Sequence, residues 1–267
     1  MRIVSHTCSN TEIVCALGCA DFLVGVDDHS DYPVEVVRNL PRIGPDLGVD
    51  VERVKQLSPD LVLSSLTVPG HEKIIEALEA AKLPLLVVEP VSLEHVYADI
   101  ERIARALGVE DRGRRLVAEM RGQAVTIVDY SRSRPSILVE WWPKPVIVPG
   151  KHSWVSDMIA AAGATNPWSD RDCKSTPVTD DEVVSMAPDA VVLSWCGVEP
   201  HKVRPDIVRR REAWRHLPAL ANDHIYCVPE AWMGRPGPRL IEGMRALREI
   251  VADLAAGTET LVIREAR

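Results

Sequence analysis

The sequence predicts an α/β fold: two Rossmann-like lobes joined by a long rigid helix, with a cleft between the lobes. Three observations lead there. Short apolar runs of strand length alternate with helical patterns along the chain. Several of these runs, such as Leu61-Val62-Leu63 and Val191-Val192-Leu193, are unbroken by polar residues, as expected of parallel strands covered on both faces. The segment Val54-x-x-Leu57-x-Pro59-Asp60-x-Val62 returns 129 residues later as Val183-x-x-Met186-x-Pro188-Asp189-x-Val191. A second echo, at a shift of 145, pairs Glu12-Ile13-Val14-x-x-x-Gly18 with Asp157-Met158-Ile159-x-x-x-Gly163. A helix, proline, aspartate and strand repeated in the same order imply two similar lobes.

The expected strands are 2–5, 23–26, 61–65, 85–88, 137–140, 191–194 and 225–228. Helix starts are signalled by Ser9-x-x-Glu12 and Thr179-x-x-Glu182, both of capping-box form. One helix is expected over 92–107, interrupted by Gly108. A second runs from Asp111 to about Tyr130, and Ser131-Arg132-Ser133-Arg134-Pro135 ends it. A helix of about 20 residues spans about 30 Å, the width of a small domain. The expected division is therefore an N-terminal α/β lobe at 1–108, a linking helix at 109–134 and a C-terminal α/β lobe at 135–267. Open α/β sheets bind ligands at the carboxyl ends of their strands.

Of 267 residues, 46% are apolar and 26% charged, which is enough to bury a full core. The net charge of −8 argues against a nucleic-acid or anionic-membrane partner. The basic run Arg209-Arg210-Arg211 reads as a solvated helix face. No stretch approaches the roughly 18 apolar residues of a membrane span, so no membrane insertion is expected. Met1-Arg2-Ile3-Val4-Ser5 runs directly into a strand with no signal-peptide pattern ahead of it. Cys8, Cys15, Cys19, Cys173, Cys196 and Cys227 are scattered and mostly set in apolar runs, as in a reducing compartment. Together these favour the cytoplasm, the alternative being an extracytoplasmic protein whose leader has been trimmed. A zinc site drawn from His6, Cys8, Cys15, Cys19 and His29 is the weaker reading beside burial of the cysteines.

Aromatic usage is lopsided. There is one phenylalanine, Phe22, against seven tryptophans, all beyond residue 140: Trp141, Trp142, Trp154, Trp168, Trp195, Trp214 and Trp232. Some will pack structurally, but indole offers a broad face and a donor that suit large planar ligands. Enzymatic signals are thin: there is no GxSxG elbow, no Walker loop and no GxGxxG after the first strand. Glu140 or Glu230 could act as a general base in a cleft, or could simply bind ligand amides or cap a loop.

Ser9-Asn10-Thr11-Glu12, Asp31-Tyr32-Pro33, Val51-Glu52-Arg53-Val54 with Pro59-Asp60-Leu61-Val62, Trp214-x-x-Leu217-Pro218-Ala219 with Asn222-x-x-Ile225-Tyr226, and Arg235-Pro236-Gly237-Pro238-Arg239 follow one another in order. Taken together, this series resembles the helical-backbone (class III) substrate-binding proteins of ABC importers, and most closely their vitamin B12 (cobalamin) binding members. The Arg-Pro-Gly-Pro-Arg run resembles a branch that often lacks a secretion signal. The resemblance implies non-enzymatic binding of cobalamin or a related corrinoid, for transport or intracellular handling, by a monomer.

By that resemblance the N-terminal lobe offers His6, Cys8, His29 and Tyr32. The C-terminal lobe offers Trp141, Trp142, Trp154, Trp195, Cys196, Trp232 and Arg235. Gly234 stands where some relatives carry an acidic residue. Two readings of His29 stand side by side, an axial cobalt ligand or a loop histidine that only hydrogen-bonds near the site. If the protein is exported, an ABC permease is the implied partner, with Glu72 and Glu199 as docking carboxylates. Haem or a ferric siderophore is the alternative ligand. The alternative of another class is a corrinoid- or tetrapyrrole-processing enzyme.

Overall fold

The computed structural model describes residues 1–124 and 134–256. The described residues form two compact units: Met1–Pro90 with Glu94–Glu119, and Val91–Leu93 with those from Met120 onward. The first carries β1 (Ile3–Ser5), α1 (Cys8–Ala16), β2 (Leu23–Val26), α2 (Val34–Val37), α3 (Val51–Gln56), β3 (Leu61–Ser65), α4 (His71–Ala80) and β4 (Leu85–Val88). Then come α5 (Leu93–Ala106) and α6 (Glu110–Ala124), separated at Gly108, whose φ is +70°. The expected continuation of this last helix to Tyr130 lies outside the described residues. The four strands form one parallel sheet in the order β2-β1-β3-β4. Ile3, Val4, Val62 and Leu63 are fully buried in it, which is why these runs lack polar alternation.

The second unit carries β5 (Ile137–Glu140), β6 (Trp142–Pro143), β7 (Val146–Pro149), α7 (Trp154–Ala161), β8 (Ser175–Val178), α8 (Asp180–Met186), β9 (Ala190–Leu193), α9 (Pro205–Arg209), α10 (Pro218–Ala221), β10 (Ile225–Cys227), α11 (Glu230–Met233) and α12 (Leu240–Ala256). Its parallel sheet has the order β10-β9-β5. All seven expected strands form, within one residue at each end. The sequence did not disclose a second, antiparallel sheet in the order β6-β7-β8. Pro143, Pro145, Pro149 and Pro177 punctuate these short strands and hide their pattern. The expected loop Trp141-Trp142-Pro143 is thus partly a strand, with Trp142 opposite Ile147.

The longer repeat has a structural meaning. In each unit the Asp after the proline clasps the residue that leads into the first strand. Asp60 Oδ2 accepts from Arg2 N–H at 2.7 Å, and Asp60 N–H donates to the Arg2 carbonyl at 2.8 Å. Asp189 treats Ser136 identically, at 2.7 and 2.8 Å. Even the backbone strain recurs, with Ser58 at φ +46° and Ala187 at +44°. Because the acceptor is charged, Asp189→Ala should cost about 1.5–3 kcal/mol. Urea denaturation should show the same loss for Asp60→Ala; a large effect at only one position would refute the equivalence. The second echo also holds: Gly18 (φ +68°) and Gly163 (φ +91°) each follow a helix end in the left-handed region.

Of the two capping signals, one is formed. Thr179 accepts from Glu182 N–H at 3.2 Å, and Glu182 accepts from Thr179 N–H at 2.7 Å. The other is displaced. α1 begins at Cys8 with Thr7 before it, there is no side-chain cap bond, and Ser9 and Glu12 are buried. The run Arg209–Arg211 is likewise not a purely solvated face, because Arg211 is drawn inward by Glu140.

Candidate functional site

In the first unit the carboxyl ends of β1, β2 and β3 lead into loops rich in polar side chains. The loop after β2 is pinned from below. Asp27, 1% exposed, accepts from His29 N–H at 3.1 Å and from the Ser30 hydroxyl at 2.5 Å. Arg42 donates to the carbonyls of Asp27 and Ser30 at 2.8 and 2.7 Å, and Thr11 and Ser30 share a hydroxyl bond of 2.7 Å. Burial raises the Asp27 carboxyl above its ordinary range. With its base fixed, the loop presents the His29 side chain 59% exposed.

Three histidines converge on Asp46. His29 Nε2 lies 3.4 Å from Oδ1 and the fully buried His71 lies 3.6 Å from Oδ2. His6 Nε2 sits 2.7 Å from the Asp46 carbonyl, and His6 Nδ1 2.7 Å from the Ser64 hydroxyl. A carbonyl only accepts, so His6 carries its proton on Nε2 and takes the Ser64 proton on Nδ1. Both ring nitrogens are therefore occupied inside the unit, and burial lowers the imidazole to about 4. His6, expected among the ligand contacts, instead braces the Asp46 loop. The Asp46 carboxyl is held below its usual range, first by His71. Among the described residues no cluster of three or more His, Cys, Asp or Glu side chains is arranged as a metal cage. Cys8 is half-buried and Tyr32 is 46% exposed.

In the second unit the seven indoles divide. Trp168 and Trp214 are core residues, and Trp141 and Trp195, expected on the ligand wall, are 8% and 5% exposed. Trp195 is turned inward because its Nε1–H donates to the buried Glu140 at 2.9 Å. Three indoles keep exposed faces: Trp142 at 42%, with Trp154 and Trp232 half-buried. Trp154 opens α7 after Ser153, which accepts from Val155 N–H, and its Nε1–H donates to the Met233 carbonyl at 2.7 Å. That bond brings α7 to α11, the helix that carries Trp232.

On either side of Trp232 in sequence, Arg235 donates to Glu230 at 3.3 Å, with 12% and 19% of these side chains exposed. Cys196 is exposed as a residue, yet crowding around its thiol and the nearby Glu230 charge push it up to about 12. It is therefore a protonated thiol at neutral pH, poorly suited to ligate metal. Glu72 and Glu199 are exposed: Glu72 accepts from Gly70 N–H at 2.8 Å, and Glu199 pairs with Lys202 at 2.6 Å. The Glu230–Arg235 pair and the Asp46–His71 contact were not read as units from the sequence. No spacing rule links residue 46 to 71, whereas Glu230 and Arg235 lie close enough in sequence to have suggested a pair.

The first unit thus presents a solvent-facing imidazole in the loop after β2, and the second carries indoles on β6, at the start of α7 and in the helix after β10. The chain belongs to the family described as periplasmic binding protein, which it matches over residues 3–231. It is 32% identical over 258 residues to the uncharacterized ABC transporter substrate-binding lipoprotein YvrC of Bacillus subtilis (strain 168), covering 94% of this chain and 79% of the relative. It is 26% identical to the vitamin B12-binding protein of Vibrio campbellii, covering 93% and 88%. The periplasmic heme-binding protein RhuT from Roseiflexus sp. RS-1 has a similar structure, with a TM-score of 0.81 at 28% identity over 95% of this chain and 98% of that one.

Proposed function

We propose that this protein binds cobalamin or a related corrinoid without altering it, for transport or intracellular handling. Two observations support the reading, one from each unit: in the second, Trp142 is exposed with Trp154 and Trp232 half-buried, and in the first the His29 imidazole is exposed. Indoles suit the apolar faces of a flat macrocycle, and a neutral imidazole suits an axial position on its metal. Tyr32, Cys8 and Arg235 contribute at the loop edges. Haem is the second reading, favoured by the same His29 and by Tyr32. A ferric siderophore fits less well, because an acidic chelate needs free cations and Arg235 is already paired with Glu230.

The test is titration of the purified chain with hydroxocobalamin and with haem, read by tryptophan quenching and visible spectra. Hydroxocobalamin should bind with a shifted spectrum. His29→Ala should lose the shift and bind about tenfold more weakly, as expected for about 1.4 kcal/mol of lost coordination. An unchanged bound spectrum removes the axial role of His29, and tighter haem binding replaces the corrinoid reading. Chemically altered cobalamin after long incubation would mark a processing enzyme instead.

In the cytosol the chain would hold or hand on its ligand. Outside the membrane it would dock an ABC permease through Glu72 and Glu199, both exposed. Fractionation of the native protein decides between these compartments.

A further inference from the structure

We infer that Glu230 sets the chemical class of ligand by cancelling the charge of Arg235, so that the loop after β10 accepts an amide-edged macrocycle and rejects a carboxylate-edged one. This rests on the corrinoid reading and extends it to the ligand's periphery. Glu230 opens α11 three residues after β10 ends, at the carboxyl end of the sheet. Its carboxylate meets Arg235 Nε at 3.3 Å, in a pair largely withdrawn from water. An arginine at such an edge would otherwise seek a ligand carboxylate, with which it forms strong charge-assisted bonds.

Gly234 makes room for this arrangement. Its φ of −83° is one that any residue adopts, so backbone freedom is not the reason for a glycine. Space is the reason: a Cβ at 234 would lie 2.4 Å from Glu230 Oε1 and 3.0 Å from Cδ and Cγ. Any side chain there obliges the Glu230 carboxylate to shift from its place beside Arg235. Trp232 belongs to the same short helix as Glu230, so the segment after β10 carries both the paired charges and an indole proposed to carry the macrocycle. Opposed like charges are an effective means of excluding the wrong ligand.

The experiment compares two ligands that share one corrin ring, dicyanocobinamide with amide side chains and dicyanocobyrinic acid with free carboxylates. The unaltered chain should prefer the amide form by on the order of 100-fold. Glu230→Gln should shrink that preference about tenfold, chiefly by tighter binding of the acid, a gain that misfolding cannot produce. Gly234→Ala should act in the same direction, and Glu230→Asp should keep the preference. A preference in Glu230→Gln within about twofold of the unaltered chain's overturns the inference alone. Failure of the unaltered chain to bind either corrin overturns the ligand reading together with it.

Discussion

Arg211→Ala is expected to remove about 3–5 kcal/mol of folding stability. Glu140, at the end of β5, is fully buried. Its oxygens accept from Arg211 at 2.5 and 3.0 Å and from Trp195 Nε1 at 2.9 Å. Arg211 also reaches the Pro143 carbonyl at 3.3 Å and lies 4.2 Å from the centre of the Trp214 ring. Removing the guanidinium leaves a desolvated carboxylate facing only an indole N–H. Removing both charges is a smaller loss, because no buried ion is then left unpaired. Urea unfolding should therefore show Arg211→Ala far less stable than the double variant Arg211→Met with Glu140→Leu. Equal stabilities would refute this account of the pair.

Acidification should be nearly as damaging, through His6. Its folded value of about 4 lies below the ordinary 6.5 because the ring is buried, so in acid the unfolded chain takes up a proton that the folded chain refuses. The contribution is complete above pH 6.5 and is lost as the pH falls from 6.5 toward 4, amounting to roughly 3 kcal/mol. Asp99, raised by burial to about 6, and Asp27, also raised, work in the opposite direction. The measurement is thus a difference: stability of the native sequence minus that of His6→Gln, followed from pH 7 to 4. The difference should fall by that amount, and a constant difference would show that His6 titrates normally.

The parallel sheets were legible because burial on both faces leaves unbroken apolar runs, and such runs need no knowledge of partners. The Asp60 and Asp189 clasps were visible as a repeat, though their backbone bonds were not. The β6-β7-β8 sheet was hidden by prolines at the ends of short strands. The site was harder. Residue type suggested an indole wall, but Trp195 is turned inward by an acceptor, Glu140, that lies 55 residues away. Arg211 looked solvated for the same reason, since its partner lies 71 residues upstream. The place of His29 in the loop after β2 was legible from the strand pattern alone.

Oxidants and alkylating reagents attack the deprotonated form of cysteine. Burial raises Cys15 and Cys227 to about 11 and Cys196 to about 12, and it lifts Cys19 as well. At these four positions the sulfur stays chemically quiet at neutral pH. Air and mild peroxide would consume them slowly, so these unbridged cysteines are compatible with work on either side of a membrane.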